Sequence, residues 1–410
     1  MTLYIVRYML FVIFTLAYLD VYTKGEDSVI TKKTRPRKSL TILYQPGKIL
    51  PSNEFIKGQN ASGEPIEYYQ SLSLKFAFET DGRKLWQQIY SYPSWGFGLY
   101  AFNFFNGAEL GNPGSLYWFF NAPFVRFKKW SINYSIGSGI SYNWNPYDAE
   151  KNPYNKSIGS KRTGFVDAGV YFNFHVGKHL DLSTGITLNH FSNGMDKVPN
   201  LGINMVGARL SLKYIFKGRP EYIKREIIPK YKKQWEFLWL FAYSRKQLAY
   251  DTLWTDSVIN FIAQDYSIYN ISATVNYQIS YKIKFGAGMD FGYDEAYNSY
   301  ITLENQQASK QNAEGNKLAI GIYPSFELVI HRLSVLFQPG WYIYRDDPSI
   351  PEPTSENHVV LPKRTPSSSY QRVGFKYHIL NNLFIGFNVR AYDFSVADYF
   401  EWNIGYRIQR

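Results

Sequence analysis

The feature that most limits the fold of this chain is an alternation of apolar side chains with small or polar ones, repeated through most of its length. Between Trp130 and Asn143 the even positions carry Trp, Ile and Tyr with one Ser, and the odd positions carry Ser, Asn and Gly. The same split recurs over 164–176, 272–279 and 385–391. Successive side chains of a β-strand point to opposite faces of the sheet, so this period predicts strands with one apolar face.

The segments between these strands fall into two classes that alternate along the chain. Tight turns are predicted near 128, 177–178, 281–282, 331–332 and 381–382. Long polar segments are predicted at 144–162, 249–265, 294–317 and 345–369. Short turns at one end and long loops at the other are typical of outer-membrane barrels. The sequence therefore predicts an all-β fold, a transmembrane antiparallel β-barrel of about 16 strands, or 14 as the alternative count, with short periplasmic turns and long external loops.

The alternation continues across the chain without a globular interruption, which favours one large barrel over two separate barrels or a barrel with a plug. The predicted inward positions are polar and include Asn133, Asn173, Asn276, Asn388 and Arg390. A ring of about 16 strands would leave a water-filled lumen.

Composition agrees with a membrane barrel. The chain has 36 Tyr and 30 Phe among 410 residues, and its mean hydropathy is −0.31. A helical span needs roughly 18 consecutive apolar residues, and past the first 25 positions the chain has no such run. It contains no Cys, which suits an oxidising compartment. The net charge of +12 fits an anionic partner such as lipid phosphate. The basic residues form no dominant arm, which argues against nucleic acid.

The N-terminus predicts export. Arg7 precedes an apolar stretch, Tyr8 to Leu19, that is typical of a secretory signal peptide and too short to span a membrane as an anchor. The predicted organisation is a signal peptide at 1–24, a first half of the barrel at 25–216, a basic periplasmic connector at 217–234 and a second half at 235–410. The connector is rich in Lys and Arg and is interpreted as a solvated linker rather than a site.

One segment brings together side chains suited to nucleophilic chemistry. His190 and Ser192 are two residues apart, so on a strand they share a face. That face also carries Leu188, and in the following strand Asn204 shares its parity with apolar residues. The three polar groups are therefore predicted to point toward lipid, beside the external loop 193–200. The competing interpretation is an ordinary belt of polar residues at the membrane interface.

The pattern H-x-S-N-G-x-x-x-x-P-N-x-G, which runs from His190 to Gly202, resembles the signature of the lipid A 3-O-deacylase (PagL-like) family, also described as acyloxyacyl hydrolase-like barrels. The resemblance extends over roughly 68–216, and the smaller, eight-stranded members end near that point. It implies that Ser192 is the nucleophile and His190 its general base, without a metal or cofactor. The loop would supply oxyanion donors and position the substrate, through the residues Asn193, Gly194 and Asn200.

The chain departs from the family pattern at one position. The family has an acidic residue twelve positions after the serine, where this chain has Asn204. An amide can hold the tautomer of an imidazole but cannot stabilise the imidazolium by charge. Asp196, in the loop, is the nearest other carboxylate.

Two functions follow as expectations. The first is an outer-membrane serine esterase that removes an ester-linked acyl chain from lipid A, with lipid A or lipopolysaccharide of the outer leaflet as its partner and no role for nucleic acid. The alternative is a non-enzymatic outer-membrane barrel, porin-like or structural, that retains the motif without activity.

Overall fold

The computed structural model describes residues 36–223, 228–253, 259–296, 315–345, 368–392 and 396–410. The predicted signal peptide lies outside this part of the chain. The first eight strands are β1 Arg37–Ile49, β2 Tyr68–Glu79, β3 Ser94–Asn103, β4 Gly111–Arg126, β5 Trp130–Trp144, β6 Arg162–His175, β7 Leu180–Ser192 and β8 Ile203–Ile215. The next eight are β9 Gln234–Leu253, β10 Ile259–Gln278, β11 Ile283–Asp294, β12 Leu318–Ile330, β13 Leu333–Arg345, β14 Ser369–His378, β15 Leu383–Tyr392 and β16 Val396–Gln409. The described helices are short: α1 Leu85–Ile89, α2 Gly107–Leu110 and a 3-10 turn at Gly315–Lys317.

The strands form two closed antiparallel barrels of eight strands each. β8 returns to pair with β1, from Ser39↔Ile215 to Ile49↔Met205, and β16 pairs with β9. The all-β fold and the count of 16 strands are confirmed, but the expectation of one large ring was wrong. Alternation along a strand is the same in a ring of eight as in a ring of sixteen, so the period could not reveal where the first ring closes.

Each connection that the sequence predicted individually has the expected length, except one. All five predicted tight turns join consecutive strands. β13 ends at Arg345 and β14 begins at Ser369, which are the limits of the predicted segment 345–369. The predicted loop 249–265 is wrong, because β9 and β10 pair continuously up to Leu253↔Ile259. Ladder hydrogen bonds come from the backbone, so polar side chains do not prevent a hairpin from extending. We call the end of each barrel with tight turns the turn end, and the opposite end the loop end.

Aromatic rings fill the lumen of the first barrel. The rings of Phe165 and Phe191 lie 5.1 Å apart, and Tyr100 packs on Phe165 at 5.4 Å. Beside them the buried Asp167 carboxylate accepts hydrogen bonds from Thr187 (2.9 Å) and from an Asn side chain. An eight-stranded barrel is just wide enough for its side chains to fill, so the inward residues here form a packed core.

Ion pairs fill the lumen of the second barrel. Arg372 donates to Asp290 (2.8 Å) and to Glu401 (3.3 Å), and Arg390 donates to Asp290 (2.5 Å). These four side chains are at most 2% exposed. The inward orientation predicted for Arg390 and the four Asn residues is therefore confirmed, but the water-filled lumen expected for a 16-stranded ring was wrong, because eight strands enclose a narrower space.

The outward faces of both barrels are apolar. Ile186 and Leu188 are 63% and 55% exposed, whereas Thr187 between them is fully buried in the lumen. An exposed apolar band on a closed barrel is the surface that lipid covers. Among the described residues, no helix has the length and apolar character needed to cross a membrane.

The two barrels contact each other at the turn end through α1, which belongs to the first barrel. Trp86 of α1 stacks on His331 in the β12–β13 turn, with ring centroids 5.8 Å apart. The Tyr90 hydroxyl, just after α1, donates to the Val329 carbonyl, and Lys282 lies 4.8 Å from the Tyr90 ring centroid. These contacts fix the second barrel against the first.

The connector between the barrels is not entirely solvated. Arg219 folds back onto the first barrel, where it donates to the Gly177 carbonyl at 3.0 Å and forms an ion pair with Asp181. Tyr222 stacks on Tyr92 with ring centroids 4.3 Å apart. The first part of the basic connector therefore covers the turn end of the first barrel.

The ion pairs in the second lumen predict a large effect of removing one partner. The change Arg372→Met removes a positive charge that pairs with the buried carboxylates of Asp290 and Glu401. Because breaking a buried ion pair costs about 3–5 kcal/mol, the free energy of unfolding should fall by that amount. The measurement is the free energy of unfolding by urea in phospholipid vesicles, followed by Trp fluorescence. Lys57→Ala, which removes an exposed ion pair with Glu54, is the control and should cost about 1 kcal/mol or less. Equal costs for the two variants would contradict this account of the lumen.

Candidate active site

The predicted site residues meet where β7 ends and β8 begins, at the loop end of the first barrel. The antiparallel register pairs His190 directly with Asn204, and Ser192 with Gly164 of β6. His190 shares its face of β7 with the exposed Leu188, as the alternation predicts.

His190 and Asn204 form a cross-strand hydrogen bond. His190 Nδ1 lies 2.7 Å from the Asn204 Oδ1 atom. An amide oxygen only accepts, so this contact places the proton of a neutral imidazole on Nδ1 and leaves Nε2 unprotonated. A general base needs that free ring nitrogen.

Two donors converge on the Ser192 hydroxyl. The Gly194 N–H donates to Ser192 Oγ at 3.1 Å, and the Asn200 side-chain amide donates to it at 2.9 Å. The Asn200 amide is itself oriented, because its Oδ1 accepts a hydrogen bond from the Asn193 N–H at 3.1 Å. Donors fixed this close to a serine oxygen can also reach the oxyanion that forms when that oxygen attacks an ester.

Asn193 has a different position from the one its predicted role suggests. Its side-chain amide donates to the Lys197 carbonyl (2.8 Å) and to Ser160 Oγ (3.2 Å), so it points away from Ser192. Asn193 therefore holds the loop and orients Asn200, while the backbone of Gly194 supplies a donor. The sequence singled out this loop but did not distinguish which of its groups turn toward the serine.

Two motif glycines have backbone conformations that explain their presence. Gly194 (φ 59°) and Gly202 (φ 70°) lie in the left-handed region, which favours glycine. A Cβ added at Gly202 would lie 2.9 Å from the Phe191 carbonyl oxygen, 3.3 Å from His190 Cε1 and 3.8 Å from Ser192 Cβ. His190 and Ser192 thus flank the same glycine, although within the described residues they share no hydrogen bond.

Asp196, the nearest other carboxylate in the sequence, has neighbours other than His190. Partial desolvation raises the pKa of the carboxyl of this exposed residue, and the Arg245 guanidinium of the second barrel partly opposes the shift by favouring the charged form. In the described part of the chain no hydrogen bond joins Asp196 to His190; the ring bonds to Asn204 instead. The described residues also include no group of three or more His, Asp or Glu side chains placed to bind a metal ion.

The second barrel reaches the site, which the sequence did not predict. Phe400 of β16 lies directly against Gly194, and Gln247 of β9 bonds to the loop. Both residues are in the half of the chain that carries no part of the motif, so no spacing signal links them to Ser192.

A closed antiparallel barrel with an apolar outer face places the chain in the class of outer-membrane-type β-barrel proteins. Two family models match it: "Lipid A 3-O-deacylase (PagL)" over residues 70–213 and "Acyloxyacyl hydrolase, C-terminal domain" over 235–410. Together they cover 320 of the 410 residues. The chain belongs to the lipid A 3-O-deacylase (PagL) family, as the motif predicts. Membership implies a hydrolase that acts on an ester bond, with lipid A of the outer membrane as the substrate class.

The solved structures that match the chain are outer-membrane proteins, and their similarity to it is low. The ferric enterobactin receptor of Pseudomonas aeruginosa is 10% identical with a TM-score of 0.22; the match covers 88% of this chain and 54% of the receptor, about half its length. An outer membrane channel from Pseudomonas putida F1 is 7% identical with a TM-score of 0.18, and the match covers 94% of this chain and 100% of the channel. The transport unit of the autotransporter AIDA-I from Escherichia coli is 10% identical with a TM-score of 0.20, and the match covers 94% of this chain and 93% of the transport unit. The comparison with curated protein sequences finds no significant match.

Gly202 provides a test of the site's packing. Gly202→Ala should destabilise the protein by more than Gly63→Ala, because both glycines have φ 70° but only Gly202 has atoms within 4 Å of the added Cβ. The left-handed conformation alone costs about 1–2 kcal/mol for alanine. Urea unfolding of both variants in vesicles measures the difference. Equal losses would show that the space between His190 and Ser192 is not closely packed.

Proposed function

We propose that the chain is a serine esterase that removes an ester-linked acyl chain from lipid A at the lipid-facing wall of the first barrel. Ser192 is the nucleophile, His190 the general base, and Asn204 the residue that orients His190. The observation that carries the proposal is the convergence of the Gly194 and Asn200 donors on the Ser192 hydroxyl.

The reaction follows from these positions. His190 Nε2 takes the hydroxyl proton of Ser192 as Oγ attacks the ester carbonyl carbon. The carbonyl oxygen becomes an oxyanion, which the Gly194 N–H and the Asn200 amide stabilise. When the intermediate collapses, the ester C–O bond breaks and His190 returns the proton to the departing sugar oxygen. Water, activated by the same base, then releases the fatty acid from Ser192.

Asn204 sets the strength of the base. Its amide oxygen holds the Nδ1–H tautomer at 2.7 Å but provides no negative charge for the imidazolium that forms during the reaction. In one serine protease, replacing the triad Asp by Asn lowers kcat by about 10⁴-fold. We therefore expect a slower enzyme than one with a carboxylate at this position.

Substrate access supports a site on the outer wall. The acyl esters of lipid A are embedded in the leaflet, so they can approach by lateral diffusion the outward face of β7 that carries Leu188 and His190. Ser192, which is 5% exposed, lies at the end of that face. The net charge of +12 also suits a lipid that bears phosphate groups.

The alternative function as a channel loses its main support. It depended on a 16-stranded ring, whereas the chain forms two eight-stranded rings whose described inward residues are mostly buried. A purely structural barrel is favoured only by Asn204, since His190, Ser192 and Asn200 are all in place.

The direct test is Ser192→Ala. Mass spectrometry of lipid A from cells that express wild type should show the loss of one acyl chain, and Ser192→Ala should abolish it, a fall of at least about 10³-fold. Ser138→Ala is a matched control on the outward face of β5, opposite Val166, and should behave as wild type. Activity retained in Ser192→Ala would exclude Ser192 as the nucleophile. Unchanged lipid A in wild-type cells would favour the structural barrel.

A carboxylate at position 204 should increase activity. Asn204→Asp keeps the acceptor near His190 Nδ1 and adds the charge that stabilises the imidazolium, so kcat should rise by about 10-fold or more. Fatty acid release from lipid A in vesicles gives the rates. Asn381→Asp adds the same charge in an exposed turn at the other end of the second barrel and should leave kcat unchanged. A kcat for Asn204→Asp at or below that of wild type would contradict the orienting role of Asn204.

A further inference from the structure

The loop that joins β7 to β8, residues 193–202, lies between the two barrels. We call it the site loop, because it supplies both donors that reach Ser192 Oγ. Its C-terminal end is fastened by the first barrel: the Gly202 N–H donates to the Ser157 carbonyl at 3.0 Å. Its N-terminal end has partners in the second barrel.

Gln247 of β9 bonds to the site loop twice. Its backbone N–H donates to the Met195 carbonyl at 2.8 Å, and its side-chain Oε1 accepts a hydrogen bond from the Val198 N–H at 3.1 Å. The Gln247 amide is oriented by Asp265, to which its Nε2 donates at 3.2 Å. One residue of the second barrel thus holds the loop on both sides of Asp196.

Phe400 of β16 covers the point where the site loop leaves β7. A Cβ added at Gly194 would lie 2.6 Å from carbons of the Phe400 ring. A Cβ added at Gly164, the cross-strand partner of Ser192, would lie 3.5 Å from the same ring. The ring therefore packs against the backbone just after the proposed nucleophile and against the strand beside it.

These contacts act on a group that the proposed chemistry requires. The direction of the Gly194 N–H depends on the conformation of the backbone between Asn193 and Met195, which is left-handed at Gly194 and also at Met195, where a residue with a Cβ does not prefer it. Phe400 restricts that backbone at Gly194 and Gln247 restricts it at Met195. A displacement of about 1 Å in a catalytic group can cost about 10²-fold in rate.

We infer that Gln247 and Phe400 are positioning residues, through which the second barrel fixes the Gly194 N–H donor at Ser192. The inference rests on the proposed esterase function. The inference gives the second barrel a part in catalysis, although this barrel contributes no group that touches the reacting atoms.

The test compares kinetic constants of full-length variants in vesicles that contain lipid A. Gln247→Met removes the acceptor for Val198, and Phe400→Ala removes the cover of Gly194. Each should lower kcat by about 10- to 100-fold and change KM by less than about 3-fold, because the donor acts on the oxyanion and not on the bound ester. Wild-type kcat in both variants would overturn the inference.

Two further variants separate positioning from general damage. The double variant Gln247→Glu, Asp265→Asn reverses the hydrogen bond between the two side chains, keeps the net charge and retains an acceptor for the Val198 N–H. Its kcat should therefore be closer to the wild-type value than that of Gln247→Met. Phe375→Ala removes another contact between the barrels, with Trp118 at 5.3 Å, and should leave kcat unchanged. An equal loss of kcat in Phe375→Ala would assign the effect to barrel docking and refute the positioning role.

Amide hydrogen exchange measures the contact between Gln247 and the site loop and does not require enzymatic activity. The Val198 amide should exchange faster in Gln247→Met than in wild type, because its acceptor is gone. Unchanged exchange would overturn the inference even where kcat falls. If the wild-type protein releases no fatty acid, both the proposed function and the catalytic part of the inference are refuted. If the wild-type protein and both variants are equally active, only the inference is refuted.

Discussion

Backbone hydrogen bonds between neighbouring strands close each ring at eight strands, and a ring of this size encloses a space that side chains can fill. The inward side chains must then pack against or pair with their neighbours. The first barrel does this mainly with rings such as Phe165, and the second with charges such as Arg372 and Asp290. The proposed chemistry on a lipid therefore belongs to the outer wall and the loops rather than to either lumen.

The candidate site follows from that restriction. On the wall, a polar side chain next to lipid is costly unless it is bonded, and His190 meets this condition by pairing with Asn204 across the strands. Ser192 meets it by accepting two hydrogen bonds from the site loop. The contacts that stabilise these groups at the edge of the barrel are the same ones on which the proposed ester hydrolysis depends.

Sequence reasoning reached the site in part, for physical reasons. Parity along a strand fixes which face a residue occupies, so the inward Asn276 and Arg390 and the shared face of His190 and Ser192 were predictable. Parity carries no information about ring closure, which depends on β8 meeting β1, nor about contacts between barrels. Gln247 and Phe400 lie 55 and 208 residues beyond Ser192 in the chain, and only the folded arrangement of the barrels brings them to the site loop.

The arrangement of the barrels has to be fixed by specific contacts, because lipid gives little hydrophobic drive for apolar surfaces to associate. At the turn end α1 of the first barrel lies on the second, with Trp86 stacked on His331. At the loop end the attachment is the site loop itself, bonded to Gln247. The two kinds of contact have separate consequences: the stacking of Trp86 fixes the barrels at the opposite end from Ser192, whereas Gln247 and Phe400 act directly on the loop that carries the Gly194 donor.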